Sequence, residues 1–167
     1  MLNIMIPVDG SRSALHAVEH VMQQRALHAE PVRVTLANVQ PRLPRHITRF
    51  ATATAVRQLQ AERAEAAMKD AMSLLSKAGI DYEVSVRKGD VAEQLAQSAL
   101  QTQVDKIVMG TTRKNALTRF FQGSIVNKVM ALTDTPVEVV ARGEASRLER
   151  FGIPVGIGLT FLWLAVE

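Results

Sequence analysis

The residue types best suited to chemistry in this chain lie in one stretch, Gly110-Thr111-Thr112-Arg113-Lys114-Asn115-Ala116-Leu117-Thr118-Arg119-Phe120-Phe121-Gln122-Gly123-Ser124. Arg113, Lys114 and Arg119 are its cations, and it contains no acid. An apolar run, Lys106-Ile107-Val108-Met109, leads into it, and Gly123-Ser124 opens a helical pattern. A helix N-terminus offers unpaired N–H groups and the positive end of the helix dipole, so an anion settles there without a dedicated cationic cage. The chemistry this predicts is binding of a nucleotide phosphate. A second stretch, Asp9-Gly10-Ser11, ends another apolar run. On its own it reads as a turn and helix cap. It becomes a ligand contact only if the fold brings it beside Gly110.

Other chemistries fall away. The chain has no Cys, which excludes a thiol nucleophile, a disulfide framework and thiolate metal sites and fits a reducing cytoplasm. His16-Ala17-Val18-Glu19-His20 has the H-x-x-E-H spacing of one zinc peptidase class. Both imidazoles fall on the face opposite Leu15, Val18 and Met22, so they are expected to be solvated rather than metal-bound. No G-x-x-x-x-G-K-[ST] phosphate loop occurs, and no Ser-His-Asp set or carboxylate pair is identifiable from spacing. Net charge is +4 with a pI near 9.9, but Lys and Arg are scattered, with one Trp and one Tyr, so no nucleic-acid surface is expected. The N-terminus lacks a basic region before its apolar run, which stops at Pro7 and Asp9. It does not resemble a signal peptide, and a cytoplasmic protein is expected.

The elements that must position these residues follow from periodicity. Leu2 to Val8 is nearly continuous in apolar residues, the mark of a strand buried on both faces of a parallel sheet. Ser11 is a candidate N-cap for a helix to about Ala29, with Leu15, Val18, Met22 and Ala26 as its buried stripe. Val32 to Val39 reads as a strand, about Thr52 to Ala78 as a long helix capped by Gly79, and Tyr82 to Arg87 as a wetter strand near an edge. Asp90 and Glu93 have capping-box spacing ahead of a helix whose apolar side is Val91, Leu95, Ala99 and Leu100. Ile125, Val129 and Leu132 mark the last helix, and Thr135-Pro136 precedes a fifth strand with Val137, Val139 and Val140. Strands alternating with helices predict an α/β domain: an open parallel sheet with helices on both faces, ligands binding beyond the carboxyl ends of its strands.

Five segments carry a family resemblance: Ile4-Met5-Ile6-Pro7-Val8-Asp9-Gly10-Ser11, Val86-Arg87-Lys88-Gly89, Asp105 to Thr111, Gly123-Ser124-Ile125-Val126 and Thr135 to Val140. In order and spacing they resemble the universal stress protein family over residues 2 to about 141. The resemblance implies a five-stranded, Rossmann-like parallel sheet, with strand order 3-2-1-4-5. It implies ATP, or ADP or AMP, as ligand, with Mg²⁺ held mainly by the phosphates. Asp9 and the backbone of Val39 would meet adenine, Pro7 and Val8 would form the pocket floor, and Met109 and Gly110 would line the ribose side. The N–H groups of Gly123, Ser124 and Ile125, with the Ser124 hydroxyl, would hold the phosphates. It also implies a homodimer through antiparallel contact of the fifth strands, at Val137, Val139 and Val140.

Two departures from the family pattern stand out. Its ATP signature is Gly, two residues, Gly, nine residues, Gly, then Ser or Thr, and Arg113 occupies the second Gly position. There a Cβ obstructs close backbone approach, while a guanidinium can pair with phosphate oxygens in a forked geometry. Both outcomes stay open. The second departure is the segment 142–167, a basic linker with Arg147 and Arg150 followed by the apolar tail Phe151 to Glu167. The tail is shorter than the roughly 20 residues that span a bilayer. Packing on the domain or on a dimer partner is expected, with membrane contact or disorder as the alternatives. The functional expectation is a non-catalytic ATP-binding stress or signalling module. The alternatives are a dimeric interaction protein that has lost nucleotide binding through Arg113, and a weak ATP hydrolase.

Overall fold

A computed structural model describes residues 1–28, 31–42, 52–111 and 125–141. Arg113, Gly123, Ser124 and the segment 142–167 lie outside the described residues. In chain order the elements are β1 (Leu2–Pro7), α1 (Arg12–His28), β2 (Val32–Gln40), α2 (Ala53–Lys77), β3 (Asp81–Lys88), α3 (Val91–Thr102), β4 (Lys106–Thr111), α4 (Ile125–Leu132) and β5 (Val137–Ala141). They build one parallel sheet in the order β3-β2-β1-β4-β5, as expected.

Successive strand residues point to opposite faces, and here both faces are buried. Ile4, Ile6, Val34, Leu36 and Val108 pack in one apolar cluster with Ala17, Val18 and Val21 of α1 and Ala64, Met68, Ala71 and Leu75 of α2. Met5, Ala37, Ile107 and Met109 pack in a second with Leu95 and Ala99 of α3 and Val126 and Val129 of α4. Full burial of such a side chain stabilises by about 1.5–3 kcal/mol, so the two layers hold the sheet from both sides.

Local chemistry sets the helix ends. The Thr52 hydroxyl accepts from the Ala55 N–H at 3.2 Å to start α2, and Gly79, at φ +60°, terminates it in the left-handed conformation. Asp90 accepts from the N–H groups of Ala92 (3.0 Å) and Glu93 (3.2 Å) to start α3.

The helix faces differ in detail from the periodicity. The buried stripe of α1 is Ala14, Ala17, Val18 and Val21, while Leu15 and Met22 are half-buried and Ala26 is exposed. Small residues face the sheet because α1 approaches it closely, which relegates the larger ones to the flank. On α4 the buried residues are Val126 and Val129, while Ile125 and Leu132 are exposed. Leu100 of α3 is likewise exposed, at 77%.

The strand order reverses between β1 and β4, because the chain grows from β1 toward β3 and then returns to the other side. Six residue pairs join β1 to β2, but β1 and β4 share only Ile4↔Lys106 and Met5↔Ile107. Beyond that point, toward their carboxyl ends, the two central strands no longer pair. A crevice opens there.

Candidate functional site

At this crevice lies a cavity of about 390 Å³, within the usual range of about 300–1,000 Å³ for small-molecule sites. Pro7, Val8 and Asp9 bound it at the end of β1, Ala37 and Val39 at the end of β2, and Met109 and Gly110 at the end of β4. Val91 and Leu95 of α3 and Ile125 and Val126 of α4 close the apolar side, and Ser11, Ser13 and Ala14 close the other. Of the expected site residues, Pro7, Val8, Asp9, Val39, Met109, Gly110 and Ile125 therefore meet around one space. Arg113, Gly123 and Ser124 lie outside the described residues.

Each wall has a local cause. Asp9 Oδ1 accepts from the Ser11 N–H at 2.9 Å, which closes the turn after β1. Ser11 Oγ accepts from the Ala14 N–H at 3.2 Å and caps α1. Asp9 is thus a turn former and a cavity residue at once, and among the described residues its second oxygen has no protein donor. Gly10 sits at φ +82° against α2, where a Cβ would lie 3.2 Å from Ala67 Cα. Gly110 is required by packing. A Cβ on it would fall 1.8 Å from the Ser13 carbonyl oxygen, so only glycine lets β4 pass the first turn of α1. Sequence reading placed Gly110 at the ligand but missed this contact with α1.

The backbone of β2 supplies a polar edge. The Val8 N–H donates to the Ala37 carbonyl at 2.8 Å, and the Gly89 N–H donates to the Gln40 carbonyl at 3.1 Å. Peptides of a parallel strand alternate between neighbours, so Ala37 and Val39 face β1 while Gln40 faces β3. Because β1 has turned away after Val8, the Val39 N–H and C=O look into the cavity. The described lining thus offers apolar walls, a backbone donor and acceptor, two hydroxyls and one carboxylate. It contains no cation.

Sequence reading also missed Ser13, Ala14, Ala37, Pro41, Val91, Leu95 and Val126 as lining residues. The last three carry apolar side chains that read as helix core. Ser13 and Ala14 come in only because α1 begins where β1 and β4 separate.

A second polar cluster lies away from the cavity, at the amino ends of β4 and β5. Lys106 Nζ donates to Glu138 Oε2 at 2.7 Å and to Gln24 Oε1 at 3.1 Å. His20 Nε2 lies 2.6 Å from Glu138 Oε1. A carboxylate only accepts, so Nε2 carries the hydrogen, and the Gln24 amide 2.9 Å from that nitrogen donates to Glu138 Oε1 at 3.2 Å. Burial by itself raises the Glu138 carboxyl, but hydrogen bonds and charge from Lys106 and His20 outweigh it and hold the group below its ordinary value. The expected solvation is corrected for His20, whereas His16 stays partly exposed. His20 is tied to β5, and His16 Nδ1 lies 3.5 Å from Glu19 Oε2. Among the described residues no group of three His, Cys, Asp or Glu side chains could hold a metal ion, and no helix is long and apolar enough to cross a membrane.

Comparison with known proteins agrees with this architecture. The model of the universal stress protein family matches residues 1–141. Universal stress protein MJ0531 of Methanocaldococcus jannaschii is 28% identical over 140 residues, covering 83% of this chain and 81% of that protein. The solved structure of the hypothetical protein MJ0577 superposes with a TM-score of 0.68 at 26% identity, covering 86% of this chain and 97% of that one. A universal stress protein family protein of Arabidopsis thaliana, solved with AMP bound, has the same fold at a TM-score of 0.63 and 14% identity, over 86% of this chain and 94% of its own. From the sheet order, the switch-point cavity and the family match over 141 residues, the chain belongs to the universal stress protein family.

Proposed function

We propose that the chain is a non-catalytic ATP-binding module for stress response or signalling, with the adenine in the switch-point cavity. The observation that carries this reading is the Val39 peptide edge facing an apolar slot beside Asp9. Adenine is a flat apolar ring whose pairing edge joins a donor amine to an acceptor nitrogen, the complement of a C=O and N–H on one residue. A carboxylate at the rim disfavours phosphate and favours an amine or a ribose hydroxyl. The phosphates therefore extend toward residues 112–124, where Arg113 and the N–H groups of Gly123, Ser124 and Ile125 receive them. AMP bound to the Arabidopsis relative supports an adenine nucleotide as ligand. With Asp9 the one carboxylate of the described lining, Mg²⁺ would be held mainly by phosphate oxygens.

β5 closes one edge of the sheet, with Val137, Val139 and Val140 half-buried along it. An unpaired edge is protected by adding a strand. We assign that role to a second copy, giving a two-fold homodimer. A monodisperse monomer at micromolar concentration in sedimentation overturns it.

The test of the nucleotide reading is direct. The purified protein is denatured, any released nucleotide is identified, and the apo protein is titrated with ATP and Mg²⁺. Release of an adenine nucleotide, or saturable binding below millimolar ATP, is expected. Neither would leave an interaction protein that has lost its ligand. ADP production above a Gly123→Ala, Ser124→Ala control would instead favour a hydrolase.

A further inference from the structure

Asn38 is an anomaly in an apolar strand: it is 2% exposed, and Gln40, next on the same face, is 8% exposed. Buried amides must be hydrogen-bonded or they cost stability. Here Asn38 Nδ2 donates to the Val8 carbonyl oxygen at 2.6 Å, and Gln40 Nε2 donates to Asn38 Oδ1 at 2.7 Å. The Val8 carbonyl can only accept, so the Asn38 amide orientation is fixed, and Gln40 must then be the donor.

The place of this chain of amides in the ladder gives it meaning. After the Val8 N–H pairs with the Ala37 carbonyl, a regular parallel ladder would next send the Val39 N–H to the Val8 carbonyl. Among the described residues that backbone bond is not made, and the Asn38 side chain takes its place. The ladder stops one bond early without leaving the Val8 carbonyl unpaired. Val39, a residue of the cavity wall, is thereby left with an N–H that has no ladder partner on the β1 side among the described residues.

We propose that Asn38, oriented by Gln40, is a positioning residue that ends the β1–β2 ladder and so keeps the Val39 peptide edge free for an adenine base. It also fixes the plane of the Val8–Asp9 peptide, from which the Asp9 carboxylate is set. The proposal rests on the reading of the cavity as a base pocket. Asn38 touches no ligand; it acts through Val8 and Val39.

The experiment uses Asn38→Leu in the full chain and reads two quantities. Amide hydrogen exchange at Val39, in nucleotide-free protein by NMR, is fast in the wild type and slows at least tenfold in the variant, as the ladder bond forms. AMP affinity by calorimetry falls about tenfold, while the midpoint of thermal unfolding is retained. A merely structural Asn38 would lower the midpoint and leave Val39 exchange as it was, and a wild-type Val39 amide as protected as that of Val34 also overturns the proposal. If the wild type binds no AMP, the base-pocket reading fails, whereas the exchange comparison still decides the role of Asn38. Should N38L not fold, Gln40→Leu removes the orienting donor: partial slowing at Val39 with a several-fold loss of AMP affinity supports the proposal, and no change in either sinks it.

Discussion

Two polar clusters on opposite ends of the sheet are finished in different ways. At the amino ends of β4 and β5, His20, Gln24, Lys106 and Glu138 satisfy one another, charge against charge. At the carboxyl end, Gln40 and Asn38 pass hydrogen bonds only as far as Val8, and among the described residues the Val39 edge and one Asp9 oxygen have no protein partner. The closed cluster fastens an edge strand to α1. The open one borders a cavity, where Asp9 is exposed and Val39 half-buried, so water can meet these groups until a ligand replaces it. Closure makes the first a structural device, and incompleteness leaves the second open to the proposed ligand.

The sharpest way to break the contrast is Gly110→Ala. The new methyl meets the Ser13 carbonyl at 1.8 Å, which is backbone and cannot rotate away. A loss of about 3 kcal/mol or more is expected from urea denaturation, at the upper end of overpacking effects. Gly79→Ala is its control: nothing lies within 4 Å of the added Cβ, so only the strain of φ +60° remains, about 1 kcal/mol. Equal costs at the two sites would mean that α1 and β4 are not in that contact. At the open end, Asp9→Asn is expected to weaken ATP about tenfold in calorimetry, close to 1.4 kcal/mol, with stability within about 0.5 kcal/mol because Asn closes the same turn. Unchanged affinity would reduce Asp9 to a turn former.

The closed cluster responds to acid instead. Glu138 has a folded-state value below its ordinary 4.5, so its contribution is present above that value and disappears as pH falls through the folded value. Glu138→Gln is therefore expected to lose about 1 kcal/mol at neutral pH, a modest figure because the pair is partly solvated, and to flatten the fall in unfolding midpoint below pH 5. ATP affinity should not move. A variant with the acid profile of the wild type would show that the cluster contributes nothing.

The two clusters also differ in how far sequence reveals them. β-α alternation and the caps at Asp90 and Gly79 follow from local pattern, because each depends on residues a few positions apart, whereas the convergence of Asp9 with Gly110 follows from both lying at carboxyl ends of strands in a parallel sheet. The contact of His20 with Glu138 spans 118 positions and rests on which face α1 presents, which the periodicity placed slightly wrong. Asn38 was invisible for another reason. It interrupts an otherwise apolar strand, and its partner is a backbone carbonyl, which has no residue type to recognise. Gly110 was found from its place at the end of an apolar run and then by resemblance, but its need for glycine comes from Ser13 in the first turn of α1.

The smallest expected effect concerns Arg113. The described lining holds one carboxylate and no cation, so its side chains supply no charge to balance a triphosphate. Charge balance must come from the 112–124 stretch, whose cations are Arg113, Lys114 and Arg119. Of these, Arg113 takes the signature glycine position, where the family pattern puts backbone against phosphate. A guanidinium there exchanges a backbone approach for a forked, charged donor. Arg113→Gly should then weaken ATP several-fold while leaving AMP almost unchanged, since the base end does not depend on it. Paired titrations at one ionic strength separate the cases. Tighter ATP in the variant would make the arginine an obstruction, and an equal loss for ATP and AMP would place its effect at the base end, against the division of labour drawn between the two halves of the cavity.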